Sequence, residues 1–163
     1  MENLIAVIAV ILYFLAVATI VPGLANQTGI KTRTVFVSAL LALVFHAWLL
    51  SDLIFDGSGQ NLSILNVASL ISFIISLVMS ASMFKTRLWF LLPVVYGFSA
   101  INLSAATFLP SAYITHLEND PQLLIHISLA FFSSSTFTIT SLYALQLAWP
   151  THTPQTPQNP PPP

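Results

Sequence analysis

Histidine is the residue type with the widest chemical range in this sequence, and the chain contains four: His46, His116, His126 and His152. A neutral imidazole can ligate a metal ion or a haem iron through one ring nitrogen, and it can equally hydrogen-bond a neighbouring helix. His46 and His126 lie inside long apolar stretches, where an ionisable residue is a functional candidate by default. His116 lies in the loop just before the stretch of His126. These three histidines are therefore the candidate ligands.

Other catalytic and ligating patterns are missing from the sequence. The absence of cysteine excludes disulfides, thiolate metal sites and a thiol relay carried by this chain. There is no phosphate-binding glycine loop, no GxSxG motif and no pair of intramembrane carboxylates. His116, Glu118 and Asp120 could together bind a metal, although ordinary solvated loop polarity is the preferred explanation. The net charge of −1 provides no basic surface for nucleic acid.

The composition indicates that lipid surrounds the elements carrying these histidines. The 163 residues are 56% hydrophobic and 6% charged, whereas an ordinary soluble domain is roughly 25% charged. A spanning helix needs about 20 mostly apolar residues, and five stretches qualify: Leu4–Leu24, Thr34–Phe55, Leu62–Phe84, Leu88–Leu109 and Gln122–Trp149. The first stretch has Glu2 instead of a basic leading segment and is longer than the apolar core of a typical signal peptide, so we expect a retained helix. The predicted fold is an all-α polytopic membrane bundle over residues 1–149.

The charges of the loops predict the orientation of the bundle in the membrane. All four basic residues lie in two connections: Lys31 and Arg33 between helices one and two, and Lys85 and Arg87 between helices three and four. The loop acids lie in the other two connections: Asp56 after helix two, and Glu118 and Asp120 before helix five. Basic residues concentrate on the cytoplasmic side. With five transmembrane helices, we expect the N-terminus outside and the C-terminus in the cytoplasm.

Polar and small residues predict caps and packing faces. Asn61 or Ser63 can cap the third helix, and Pro121 suits the first turn of the fifth. Helices pack in lipid through small residues and a few hydrogen bonds. We therefore expect two faces to pack closely against neighbouring helices, and the alternative is that they line a polar path through the bundle. The two faces are Asn66, Ser69, Ser76 and Ser80 on helix three, and Gly97, Ala100, Ser104 and Thr107 on helix four. Tyr96 and Asn102 need interior partners, since an unpaired polar group in hydrocarbon is costly.

The fifth helix and the tail leave alternatives open. One face of helix five, which would either wall a groove or pack on helix four, carries His126, Ala130, Ser133, Phe137, Ser141 and Ala144. Residues 150–163 are rich in proline and are expected to be disordered or to form polyproline II. An inert end is preferred over a docking peptide for this tail, and His152 belongs to it.

Several segments resemble a known family when taken together. They are Ser58–Ser63 with Leu65–Val67, Leu91–Tyr96, Tyr113–Glu118 and Leu142–Trp149. They are similar to bacterial inner membrane proteins of the YpjD type, which belong to the cytochrome c assembly superfamily together with the HemX and CcsA proteins. The resemblance covers residues 1–149.

The resemblance implies haem as the cofactor, held near the outer face by histidines. Leu123–Ile127 resembles the family's pattern around an external histidine, which assigns that role to His126. His46, within Phe45–Ala47, matches a histidine usual in the second helix of this subgroup, and His116 is a third candidate. The implied partners are the lipid bilayer and other cytochrome c biogenesis proteins. The implied role is that of a binder and not an enzyme, since the covalent step needs cysteines of the apocytochrome.

Departures from the family favour a second hypothesis. The tryptophan-rich signature loop of the haem-delivering members is absent. Proteins of this type continue with further helices, so the chain looks truncated and a second external ligand would lie beyond it. A non-haem structural or assembly partner of the inner membrane is therefore the alternative. A small transporter is disfavoured, because there are few intramembrane charges and no obvious pair of broken half-helices.

Overall fold

The computed structural model describes residues 2–25, 29–55, 57, 59–84, 89–109 and 111–148. Within these residues the chain forms five helices: α1 (Glu2–Ala25), α2 (Thr32–Phe55), α3 (Ile64–Ser82), α4 (Leu92–Phe108) and α5 (Pro121–Ala148). The predicted all-α membrane bundle is confirmed. Several residues used above lie outside the described part: Asp56, Lys85, Arg87 and the tail with His152. The orientation in the membrane stays a prediction.

Helix length and composition suit a bilayer. Of the described helices, α1, α2, α3 and α5 are long and apolar enough to cross a membrane. Helix α4 has 17 residues, which corresponds to a rise of about 26 Å and falls slightly short of a hydrocarbon core of about 30 Å. The chain is therefore a multi-pass membrane protein.

Four of the described helices form a ring, and α5 lies outside it. Helices α1 and α3 each pack against both α2 and α4, and α5 packs against α3. Small side chains make close packing possible between α1 and α2, since Ala9, Ala16, Ala39 and Ala42 are all completely buried. Of α5, by contrast, Ser135 is the single buried residue in the described range.

The predicted face of α3 is confirmed, because Asn66, Ser69, Ser76 and Ser80 are all buried. The predicted face of α4 is correct for Ala100 alone, because Gly97, Ser104 and Thr107 are only partly buried. The centre of the buried face differs from the prediction by about one residue, which is a rotation of roughly 100°. The buried face of α4 comprises Leu92, Val95, Tyr96, Ser99, Ala100, Leu103 and Ala106. Tyr96 and Ser99 turn inward because their hydroxyls find partners on α3. The hydroxyls of Ser104 and Thr107 instead donate to carbonyls of their own helix, which satisfies them without a neighbour.

Two connections join at one end of the bundle into what we call the loop cap, residues 59–63 and 111–120. Strands β1 (Gln60–Asn61) and β2 (Ile114–Thr115) pair there antiparallel, and a short 3-10 helix, Leu117–Asn119, follows. As predicted, Ser63 caps α3, accepting from the Asn66 amide, and α5 begins at Pro121. Asp120 adds a second cap, since its carboxylate accepts from the Leu123 amide at 3.1 Å.

Candidate functional site

His46 lies at the centre of the helix ring with both ring nitrogens engaged. Nδ1 is 3.0 Å from the hydroxyl oxygen of Tyr13 on α1, and Nε2 is 3.0 Å from the hydroxyl oxygen of Ser69 on α3. The side chain is completely buried, and the ring of Phe73 meets it edge-on with centroids 5.3 Å apart. A single imidazole on α2 thus links α1 and α3 across the interior of the bundle.

A polar stripe continues along α3 below this link. The Ser76 and Ser99 hydroxyls are 2.6 Å apart, and Ser99 also donates to the Ser72 carbonyl at 3.0 Å. The Ser80 and Tyr96 hydroxyls are 2.8 Å apart. These contacts join α3 to α4 and supply the interior partner that the sequence required for Tyr96. Asn102 meets the same requirement differently, by donating to the Phe98 carbonyl of its own helix.

The two segments of the loop cap are joined by hydrogen bonds between side chains and backbone groups. The Asn61 side-chain oxygen Oδ1 accepts from the backbone amides of Ser63 and Tyr113, while the side-chain amide group of Asn61 donates to the Ser111 carbonyl. The Gln60 side-chain oxygen accepts from the Leu117 amide at 2.9 Å. These bonds bring the segments before α3 and before α5 into one unit.

His126 occupies a different environment from that of His46. It lies on an exposed part of α5, about one and a half turns from the start of the helix. Its neighbours on the outer surface are apolar, with Ile125 60% and Leu129 64% exposed. Among the residues that the structure describes, none hydrogen-bonds the His126 ring. The imidazole is therefore accessible from outside the helix ring, in apolar surroundings.

His116 is exposed on the loop cap, immediately before the 3-10 helix. A Cβ atom at Gly59 would lie 2.9 Å from its ring and would also clash with the Thr115 carbonyl. Glycine at position 59 is therefore required by the close approach of the two loops. The position of the His116 ring depends on that approach.

The structure does not bring the three candidate histidines into one site. His46 is enclosed between α1, α2 and α3, His116 lies on the loop cap, and His126 lies outside the ring on α5. Across the described ranges, no three His, Asp or Glu side chains gather where they could hold a metal ion. The side chain of Glu118 lies outside the described part, so the loop cluster of His116, Glu118 and Asp120 stays a prediction.

An apolar cleft of about 340 Å³ opens below the loop cap between α2, α3 and α5. Its lining includes Ile54, Leu62, Leu70, Leu117, Leu124 and Ile127. The lining residue Ile127 directly follows His126, yet the imidazole itself does not line the cleft. The cleft could accommodate an apolar group near the first turns of α5.

His126 and His46 differ in how well they could ligate a haem iron. Iron coordination requires a ring nitrogen that is free to bind. His126 meets this requirement, whereas at His46 both nitrogens face hydroxyl groups and the ring is completely buried. Ligation by His46 stays a prediction, and this geometry argues against it.

Sequence reasoning missed Tyr13 and Gln60. Tyr13 is a lone phenol within an apolar helix, and such a group needs an interior partner; this is the signal that could have pointed to His46. Gln60 carries no comparable signal, because a glutamine in a turn-rich loop is ordinary. Its role depends on a partner 57 positions away.

Comparison with known proteins identifies the family. Residues 34–160 match the family described as "Cytochrome C assembly protein". The chain is 51% identical over 146 residues to the "Inner membrane protein YpjD" of Escherichia coli strain K12, and equally similar to the proteins of that name from strains O6:H1 and O157:H7. The match covers 88% of this chain and 56% of each relative, so the chain spans about half the length of the curated relatives it matches. No solved structure shows a significant match. From the extent of the family match and this identity, the chain belongs to the cytochrome c assembly protein family.

Proposed function

We propose that this chain handles haem during cytochrome c biogenesis in the bacterial inner membrane, as a binder and not as an enzyme. The observation that carries the proposal is the accessible imidazole of His126 in a member of the cytochrome c assembly family. The name of the Escherichia coli relatives supports the inner membrane as the location. The activity of the whole relatives is part of this proposal, because the chain matches about half of their length.

His126 is the proposed haem ligand. Its ring nitrogens have no hydrogen-bonding partner among the described residues, so ligation costs no existing bond. The apolar neighbours Ile125 and Leu129 would shield an iron–imidazole bond from water. Haem, when bound, supplies the iron porphyrin, and the protein contributes its binding and orientation. His116, on the adjoining loop cap, is the candidate for a further contact.

An absorption spectrum of the detergent-purified protein tests the proposal. We expect a stoichiometric Soret band after haem addition, which weakens in His126→Ala. Leu145→Ala is the matched control, because it removes an exposed side chain far along the same helix and leaves every imidazole and the neighbours of His126 in place. An unchanged Soret band in His126→Ala would show that the ligand assignment is wrong.

The alternative function is that of a non-haem assembly partner. The feature that favours it is the open surface of α5, where Phe132 and Phe137 are 58% and 73% exposed. Gly97 on α4 also faces open space, since a Cβ atom there would meet nothing within 4 Å. A folded protein that takes up no haem, but loses a co-purifying biogenesis protein in Gly97→Leu, would support this alternative.

A further inference from the structure

We infer that His46 is a positioning residue, which aligns α1 and α3 on α2 and through α3 holds the loop cap, and that it is not a haem ligand. The inference goes beyond the proposed function, because it assigns a role to a histidine for which the resemblance implies iron ligation. It depends on the contacts of one imidazole and on the path from that imidazole to the start of α5.

The first step is a count of donors and acceptors. A neutral imidazole has one N–H donor and one acceptor nitrogen, and at His46 each nitrogen lies 3.0 Å from a hydroxyl oxygen. Binding iron would require one nitrogen to leave either Tyr13 or Ser69. The abandoned hydroxyl would then lose this hydrogen bond while staying buried, because Tyr13 and Ser69 are both completely buried.

The second step is the geometry of the link. Tyr13 and Ser69 belong to helices on opposite sides of α2, so the two bonds fix the rotation and the depth of three helices together. The edge-on packing of the His46 ring against Tyr13 and Phe73 restricts the imidazole plane further. Buried polar side chains that hydrogen-bond across helices are the usual means of such alignment in lipid.

The third step leads from His46 to the loop cap. Ser69 lies about one turn from Asn66 on the same buried face of α3. The Asn66 amide group donates to the Leu53 carbonyl on α2 at 3.1 Å and to the Asn61 carbonyl on β1 at 3.0 Å. The His46–Ser69 bond sets the position of α3 along α2. Because Asn66 is on α3 and bonds to β1, the same bond also determines where β1 lies.

The last step leads from the loop cap to α5. Strand β1 pairs with β2, and the Gln60 side chain holds the Leu117 amide. Asp120 then caps the first turn of α5. The helix begins at Pro121, and His126 follows five residues later. His46 thus influences the position of His126 through backbone and side-chain bonds, without sharing a ligand with it.

A thermal unfolding series in detergent tests the alignment. Tyr13→Phe and Ser69→Ala each remove one bond to His46, and we expect each to lower the unfolding midpoint by about 2–4 °C. Combined with His46→Leu, neither should add its full effect, because the shared bond is already lost. Ser51→Ala is the control, since that exposed hydroxyl donates to its own helix. Fully additive shifts would overturn the inference.

Hydrogen–deuterium exchange tests the path to the loop cap. We expect the amides of residues 113–117 to exchange at least several-fold faster in Ser69→Ala and to be unchanged in Ser51→Ala. Unchanged exchange in Ser69→Ala would overturn the part of the inference that concerns the cap. This measurement needs no haem, so it decides the inference even if the proposed haem function fails.

The spectrum of the haem-loaded protein distinguishes positioning from ligation. We expect His46→Leu to weaken haem affinity while leaving the Soret and visible band positions as in the parent protein. A shift of these bands in His46→Leu, with none in His126→Ala, would identify His46 as the ligand and overturn the inference.

Discussion

The side-chain amide of Asn66 donates to the backbone carbonyl of Asn61 at 3.0 Å, which ties the buried face of α3 to the loop cap. The same amide group reaches the Leu53 carbonyl at the end of α2. One side chain therefore connects two membrane helices to the segment that pairs with the connection before α5. The stability of this end of the bundle depends on that group.

Asn66→Ala is expected to destabilise the bundle by about 1–3 kcal/mol, because two carbonyls lose their donor in a buried position. Asn102→Ala is the matched control, since the Asn102 amide serves only a carbonyl of its own helix. Reversible unfolding in detergent mixtures measures both variants. An equal loss of unfolding free energy in both variants would show that the contacts of Asn66 between helices do not stabilise the bundle more than a bond within one helix does.

Gly59→Ala is expected to open the loop cap, at a cost of about 1–3 kcal/mol, because the added methyl group would overlap the Thr115 carbonyl and crowd the His116 ring. Gly97→Ala should be tolerated, since a Cβ atom there meets nothing within 4 Å. Protease susceptibility of the loop cap and thermal unfolding would report the difference. A stable Gly59→Ala protein with a protected cap would contradict this prediction.

The hydroxyl pair of Ser80 and Tyr96 should be energetically coupled. A double-mutant cycle with Ser80→Ala and Tyr96→Phe is expected to give a coupling of about 0.6 kcal/mol, and no more than about 1.7 kcal/mol, which is the range for hydrogen bonds between membrane helices. Ser104→Ala paired with Tyr96→Phe is the control, because Ser104 bonds to its own helix. A coupling near zero for the first pair would mean that the 2.8 Å contact contributes nothing to stability.

The predicted orientation can be tested with single cysteines, because the chain has none of its own. Asn119→Cys places a thiol on the exposed loop cap, and Lys31→Cys places one on the connection between α1 and α2. An impermeant thiol reagent added to intact cells should label the first variant. The second should react only after lysis. The opposite pattern would reverse the orientation.

Much of the helical architecture was predictable from local sequence. Long apolar runs indicated the five helices, and Ser63 and Pro121 marked two helix starts correctly, because caps depend on residues a few positions apart. The buried face of α3 was also predictable from the periodicity of Asn66, Ser69, Ser76 and Ser80. The face of α4 was not, since small residues occur on both sides of that helix and periodicity alone does not choose between them.

By itself the sequence determined the solvent and the class of fold: with 6% charged residues, this chain can bury its backbone only as helices in lipid. It also determined which residues could act as ligands, since His46, His116 and His126 are the histidines outside the tail. Only the tertiary structure decided that His46 is enclosed by Tyr13 and Ser69 while His126 remains accessible. The contacts of His46 join residues far apart in the sequence, since Tyr13 is 33 positions away and Ser69 is 23 positions away. They depend on the rotation of whole helices about their axes, which packing between distant segments sets.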